Sequence, residues 1–245
     1  MRTKALLCAA ALAAGALTSM AQVYSANVVG YVNATVLGNF NYNMIANPLD
    51  ATVGGTVPGG NNITNLFPPS VMTVARDGAQ ILRWNPNIAD FQGDTWTYDG
   101  ASAVWRKDGG ADLTGFALNP GEGIFFVGQG PDLAMTYVGQ VIQGSYPLPV
   151  FGSFDYNSLG SPVPLGGNFT NSVYNLTLQD GDTIATWNLG LQDLDPNLLT
   201  YSIASHSWSG SGPPFLNVNI APGIGFFYVS GGGTNVTWDA NFSVQ

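Results

Sequence analysis

The chain has 245 residues and a formal net charge of −9, and only 9 % of its residues are charged. So few basic residues leave no stripe to neutralise phosphates, which argues against nucleic acid and anionic membranes as partners. The surface must be built from Asn, Thr, Ser and Gly, and such low charge eases contact between copies.

Arg2 and Lys4 precede an apolar run from Ala5 to Leu17, followed by Thr18-Ser19-Met20-Ala21-Gln22. This is the layout of a secretory signal peptide, residues 1–21, cut after Ala21. The run is too short and Ala-rich for a transmembrane helix. The expected location is therefore extracellular or at the cell surface, with no membrane span. Cys8 is the one cysteine and lies inside this segment, so disulfides add nothing to the mature chain. Beyond it, Arg76, Arg83, Arg106 and Lys107 stand against fifteen acids.

The rest is written twice. Gly38-Asn39-Phe40-Asn41-Tyr42-Asn43 returns as Gly152-Ser153-Phe154-Asp155-Tyr156-Asn157, and Pro120-Gly121-Glu122-Gly123-Ile124-Phe125-Phe126 returns as Pro222-Gly223-Ile224-Gly225-Phe226-Phe227-Tyr228. Asp77-Gly78, Trp84-Asn85, Thr97-Tyr98 and Trp105 match Asp180-Gly181, Trp187-Asn188, Thr200-Tyr201 and Trp208. A period of roughly 100 to 115 residues suits a small domain better than a solenoid unit. The boundaries that follow are an N-terminal donor-type strand over 22–37, one module over 38–144 and a second over 145–245.

Short runs rich in Val, Ile, Thr and aromatics, separated by Gly, Pro, Asn and Asp, predict an all-β chain: two tandem sandwich or barrel-like modules with an extra N-terminal strand. Val71–Val74 and Gln80–Trp84 flank Asp77-Gly78 as a predicted hairpin, with Val173–Leu178, Asp180-Gly181 and Thr183–Trp187 as its second copy. Further strands are expected over Thr95–Tyr98, Ala103–Arg106, Ile124–Val127 and Leu133–Val138. The Pro-Gly-x-Gly-aromatic segment reads as a tight turn whose second Gly lets another backbone pass close. A phosphate loop would need a Lys and a following helix, and neither is present.

Val29-Gly30-Tyr31-Val32 resembles Val138-Gly139-Gln140-Val141, and the segment from Thr237 to Val244 aligns with Thr136–Val141, so one strand type stands before, between and after the modules. The N-terminal copy has no preceding module to close. Two readings follow: it adds to a sheet edge of the next copy, or it folds back onto its own module.

Catalysis finds little support. His206 is the only histidine, and its counterpart is Ala103; the only glutamate, Glu122, faces Ile224 in the alignment. No nucleophile elbow precedes a helix. The chain is expected not to be an enzyme. Asp193, Asp195 and Asn197 alternate oxygen ligands as calcium loops do and form a candidate structural Ca²⁺ site, with Asp90–Asp94 in the same place of the first copy. No other cofactor is expected. Six tryptophans on a neutral polar background offer candidate sugar platforms at Trp96, Trp105 and Trp208. Recurrence at matched positions suits core packing as well, and the swaps Trp96 with Leu199 and Trp238 with Tyr137 fit an apolar core.

The start Val23-Tyr24-Ser25-Ala26-Asn27-Val28-Val29-Gly30-Tyr31-Val32-Asn33, the Ile45–Leu49 segment and the Pro-Gly-Glu-Gly-aromatic turn resemble a group of uncharacterised secreted proteins of verrucomicrobial type. The resemblance implies a secreted, duplicated β protein and brings no activity. Many relatives carry a C-terminal sorting helix, whereas this sequence stops at Gln245 without one.

Two functions are therefore expected. The first is an extracellular structural protein that assembles head-to-tail with other copies of itself, Val23, Tyr24, Val28, Val29, Tyr31 and Val32 forming the donor strand and Trp238, Phe242 and Val244 the acceptor edge. The second is a glycan-binding module.

Overall fold

The computed structural model describes residues 28–52, 59–86, 88, 90–152, 155–168, 178–210 and 219–243. The signal segment, Val23, Tyr24 and Val244 lie outside them, as do Val173–Thr177.

The chain folds as two similar all-β sandwiches. The first contains β1 (Val29–Val36), β2 (Tyr42–Ala46), a single helical turn α1 (Ile63–Leu66), β3 (Gln80–Asn85), β4 (Asp90–Asp99), β5 (Val104–Lys107), β6 (Gly123–Val127) and β7 (Leu133–Gln140). The second contains β8 (Gly144–Val150), β9 (Tyr156–Gly160), β10 (Gly167–Asn168), β11 (Thr183–Asn188), β12 (Asp193–Leu194), β13 (Leu199–Ser202), β14 (Ser207–Gly210), β15 (Asn219–Ile220), β16 (Gly225–Val229) and β17 (Val236–Phe242).

Each module lays an antiparallel ribbon over a larger antiparallel sheet. In the first, the ribbon is β1-β7 and the sheet is β2-β6-β3-β4-β5; in the second, they are β8-β17 and β9-β16-β11-β13-β14, with β12 hairpinned onto β11. Alternation dictates the ribbons: Val32, Ala34 and Val36 of β1 and Leu133, Met135 and Tyr137 of β7 face the core, while the residues between them face out. Ile45, Ile81, Trp96, Tyr98, Trp105 and Phe126 meet them from the sheet. Burial of these side chains away from water supplies the main favourable term for each module.

β6 does not alternate; all five of its residues are buried. Ile124 and Phe126 enter their own core, whereas Phe125 joins Met44, Ala185 and Phe227 in a third cluster between the modules. The sheets therefore stack back to back, ribbon–sheet–sheet–ribbon. A strand covered on both faces reads as a continuous apolar run.

The seam obeys an internal two-fold. Ala46 N–H donates to the Gly223 carbonyl and Gly160 N–H to that of Gly121, each at 3.0 Å. Ile45 bridges Ile224, and Leu159 bridges Glu122. Trp84 Nε1 donates to the Tyr156 carbonyl at 2.6 Å, and Trp187 Nε1 to that of Tyr42 at 2.8 Å. Every one of these contacts pairs a residue of one copy with the counterpart of its partner in the other.

The Pro-Gly-x-Gly turns make this approach possible. Gly121 and Gly223 sit at φ 82° and 83°, in the left-handed region. A Cβ on Gly123 would stand 2.6 Å from Ser158 Oγ, and one on Gly225 would stand 3.0 Å from the Ile45 carbonyl oxygen. The backbone that passes close belongs to the other module.

Several expectations are corrected. β1 is not a strand without a module: all eight residues pair with β7, from Val29 opposite Gln140 to Val36 opposite Leu133. It supplies core residues of the first module, while residues 22–27 of the expected donor segment lie outside the described residues. Its counterpart is β8, an opening strand. Leu37 N–H donates to Asn43 Oδ1 as Phe151 N–H does to Asn157, and Gly38 N–H meets Asp132 as Gly152 N–H meets Asn235. The same contacts set Leu133 against Val236 and hence Met135, not Tyr137, against Trp238. A slip of two residues keeps a strand's faces unchanged, so the sequence pattern could not detect it.

Val71–Thr73 form no strand, and a 3₁₀ turn at Val74–Arg76 leads into Asp77-Gly78. Both sides of β3 are already taken, by β4 and β6, so no hairpin partner fits there. The turn instead ties to β4: Gly78 N–H donates to the Tyr98 carbonyl, and Asp77 accepts from Gly100 N–H. The second copy repeats this with Gly181, Tyr201, Asp180 and Ile203.

Candidate functional site

Two equivalent hollows flank the two-fold seam, one at each crossing of a ribbon edge and the sister module's Pro-Gly-x-Gly turn. They have diverged. Beside the first module's turn a cavity of about 490 Å³ opens among Arg83, Trp84, Asn119, Glu122, Tyr146 and Pro147. The equivalent place beside the second module's turn holds about 50 Å³, closed by Thr186, Leu189 and Ile224 among others.

The large hollow is built from both modules. β3 presents Arg83 and Trp84, and the turn before β6 presents Asn119 and Glu122. β8 supplies Tyr146, Pro147, Leu148 and Pro149 as the opposite wall. Prolines at 147 and 149 can donate no N–H, which suits a strand whose outer edge borders a cavity rather than another strand.

Glu122 Oε2 accepts from Asn119 N–H at 2.9 Å, and its Oε1 lies 3.5 Å from Arg83 Nη2. Both side chains are about one-third exposed, at 33 % and 35 %. A pair this long and wet contributes little stability and leaves donor and acceptor capacity unspent. The Arg83 guanidinium carbon stands 5.1 Å from the centre of the Phe116 ring, which fixes its other side. Burial pushes the Tyr146 phenol above its ordinary pKa, with the charges of Asp50 and Glu122 adding to the shift, so it stays a neutral donor. Ser158 Oγ, in the lining, is buried with no hydrogen-bond partner.

Trp84 also borders a second, apolar cleft of about 370 Å³ on the seam, lined by Tyr42, Phe91, Phe125, Tyr156, Trp187, Asp193, Leu194 and Phe227. Its rings pack edge to face, as Trp84 with Phe227 and Trp187 with Phe125, at 5.3 and 4.8 Å between centroids. With both indole N–H groups bonded across the seam, the ring positions are set before any ligand arrives.

The residues singled out in the sequence lie elsewhere. Trp96, Trp105 and Trp208 are buried in the module cores, at 4 %, 2 % and 8 % exposure, so none offers a ring face to a sugar. Trp105 Nε1 donates to the Phe67 carbonyl, as a core indole must. Of the expected donor strand, Val28 packs against the first core just before β1, while Val29 and Tyr31 face out and Val32 is buried on a strand that β7 holds within the chain. Of the expected acceptor edge, Trp238 is buried in the second core on a strand paired with β8, and Phe242 packs half-buried against the first core. Asp195 Oδ1 accepts from both the N–H and the side-chain amide of Asn197, while Asp193 accepts from Leu194 N–H. These are local loop bonds, and among the described residues no three carboxylate, His or Cys side chains converge as a metal group. His206 is exposed at φ 47° in a tight turn, where Ala103 has φ 55° in the first copy.

The hollow escaped the sequence reading although its signal was present. Glu122 against Ile224 and Arg83 against Thr186 are mismatches between the copies that place charged side chains in the first copy alone. Among the described residues no helix is long and apolar enough to cross a membrane. No family model, curated protein or solved structure matches this chain.

Proposed function

We propose that this chain is a secreted, non-catalytic carbohydrate-binding protein whose site is the hollow between Arg83, Glu122 and Tyr146. The observation that carries the reading is the divergence of the two hollows. A duplicated chain has kept its cores and seam in both copies, yet opened and polarised one crossing while filling the other.

A sugar presents hydroxyls that both donate and accept, around a ring with apolar C–H faces. Arg83 donates, Glu122 accepts, Asn119 does both, and Tyr146, Trp84 and the prolines give apolar wall. A volume of about 490 Å³ falls within the roughly 300–1,000 Å³ of small-ligand sites. Among the described residues the lining holds one carboxylate, where hydrolysis of a glycosidic bond uses a pair about 5 to 9.5 Å apart. Binding without cleavage fits that arrangement.

Glycan-array screening of the purified protein, followed by calorimetry on the hits, tests the reading. Binding of a neutral or mildly polar glycan that Glu122→Gln and Arg83→Ala weaken at least tenfold is the expected result. No glycan bound, or equal binding by both variants, would refute it.

A further inference from the structure

The apolar cleft on the seam has no role in the proposed sugar site beyond sharing the wall of Trp84, and its own composition points to a different ligand. We infer that it binds a small organic cation, of the quaternary or methylated ammonium class.

Its lining is Tyr42, Trp84, Phe91, Phe125, Tyr156, Trp187 and Phe227, closed by Leu194 and a single charged group, Asp193. Aromatic rings carry negative charge on their faces and attract cations brought within about 6 Å. The Asp193 carboxylate adds a full negative charge at the rim and has no ion-pair partner among the described residues. None of the chain's four basic residues outside the signal segment lines the cleft. That exposed carboxylate attracts a cation, adds nothing to the binding of a neutral apolar ligand and repels an anion.

Four pairs of counterparts line the cleft, and Asp193 is the one lining residue whose counterpart is not there. Trp84 pairs with Phe91 and Trp187 with Leu194, so the two copies place different side chains at one position. Phe91 packs edge to face on Trp84 at 5.3 Å and on Phe125 at 5.7 Å, filling its side. Leu194 is smaller and leaves room, and Asp193 lines the cleft there whereas its counterpart Asp90 does not.

The test is a titration of the full chain with choline and tetramethylammonium, followed by tryptophan fluorescence and calorimetry, against the neutral isostere 3,3-dimethylbutan-1-ol. The cations are expected to bind at least tenfold more tightly than the isostere, Asp193→Asn to remove most of that preference, and Leu194→Phe to abolish binding by importing the first copy's filler. Equal binding of isostere and cation would make this an apolar gap and overturn the inference, as would no binding of any probe. Should Leu194→Phe fail to fold, the isostere ratio and Asp193→Asn, an exposed position, still decide. Glycan binding at the hollow is measured separately, so either site can fail alone.

Discussion

At two places a ribbon edge meets the sister module's turn, and only one of them is open. Around the open hollow stand Arg83, Glu122, Asn119 and Pro86; the equivalent residues around the closed one are Thr186, Ile224, Ala221 and Leu189. The Pro-Gly-x-Gly turn and the indole bonded across the seam are shared by the two crossings. The shared parts serve packing in both copies, whereas the charged side chains around the open hollow belong to one copy alone.

Exchanging the residues is the most severe test of that contrast. The double substitution Arg83→Thr and Glu122→Ile gives the first crossing the second one's side chains and should abolish measurable glycan binding. Stability should change little, since the lost ion pair is one-third exposed. Calorimetry with any array hit, alongside a thermal melt, separates the two effects; a variant that melts normally and still binds would dissolve the contrast.

A gentler pair of changes sharpens it. Trp84→Phe and Trp187→Phe each remove one cross-seam hydrogen bond, to Tyr156 and to Tyr42. Both should cost about 1 kcal/mol, the net worth of a typical bond of this kind. Only Trp84→Phe should weaken glycan binding, because only Trp84 borders the open hollow. Denaturant melts of the two variants should therefore overlay while their binding isotherms differ.

The repeat, the all-β class and strands β4 to β7 were legible because strand alternation and turn residues act locally. The seam was not. Phe125 and Phe126 are neighbours in one apolar run, and nothing local tells which faces its own core and which faces the sister module. Likewise, β1 looks like a closing strand because opening and closing strands of a ribbon alternate in the same way. The tryptophans misled in the opposite direction: Trp105 and Trp208 recur because both cores need them, whereas the residue that lines the open hollow is the unmatched Glu122.

The ribbons differ as well, and a smaller effect follows. Tyr137 of β7 stands where β17 has Ala240, and its hydroxyl is buried without a hydrogen-bond partner. Burial alone raises that phenol's pKa far above the ordinary value. Tyr137→Phe removes a desolvated group while keeping the ring, so stability should rise by about 1 kcal/mol, visible as a higher denaturation midpoint. A fall would mean that the hydroxyl has a partner, such as a bound water.

The smallest expected difference lies at the far edges of the two sheets and depends on pH. Asp99 and Arg106 join β4 to β5 at 2.8 Å, where β13 and β14 carry Ser202 and Ser209. The hydrogen bond from Arg106, with further bonds from Ser102, lowers the Asp99 pKa to about 2. A carboxylate with a lowered folded-state pKa stabilises the fold fully above its unfolded value of about 3.9, and that contribution fades as pH falls toward 2. The double change Asp99→Ser and Arg106→Ser, which copies the second module, should therefore melt slightly below the parent at pH 7, and the gap should close between about pH 4 and pH 2. Because the pair is partly exposed, added salt should narrow the same gap at neutral pH. A gap that persists unchanged at pH 2 would assign the difference to packing of the arginine stem rather than to charge.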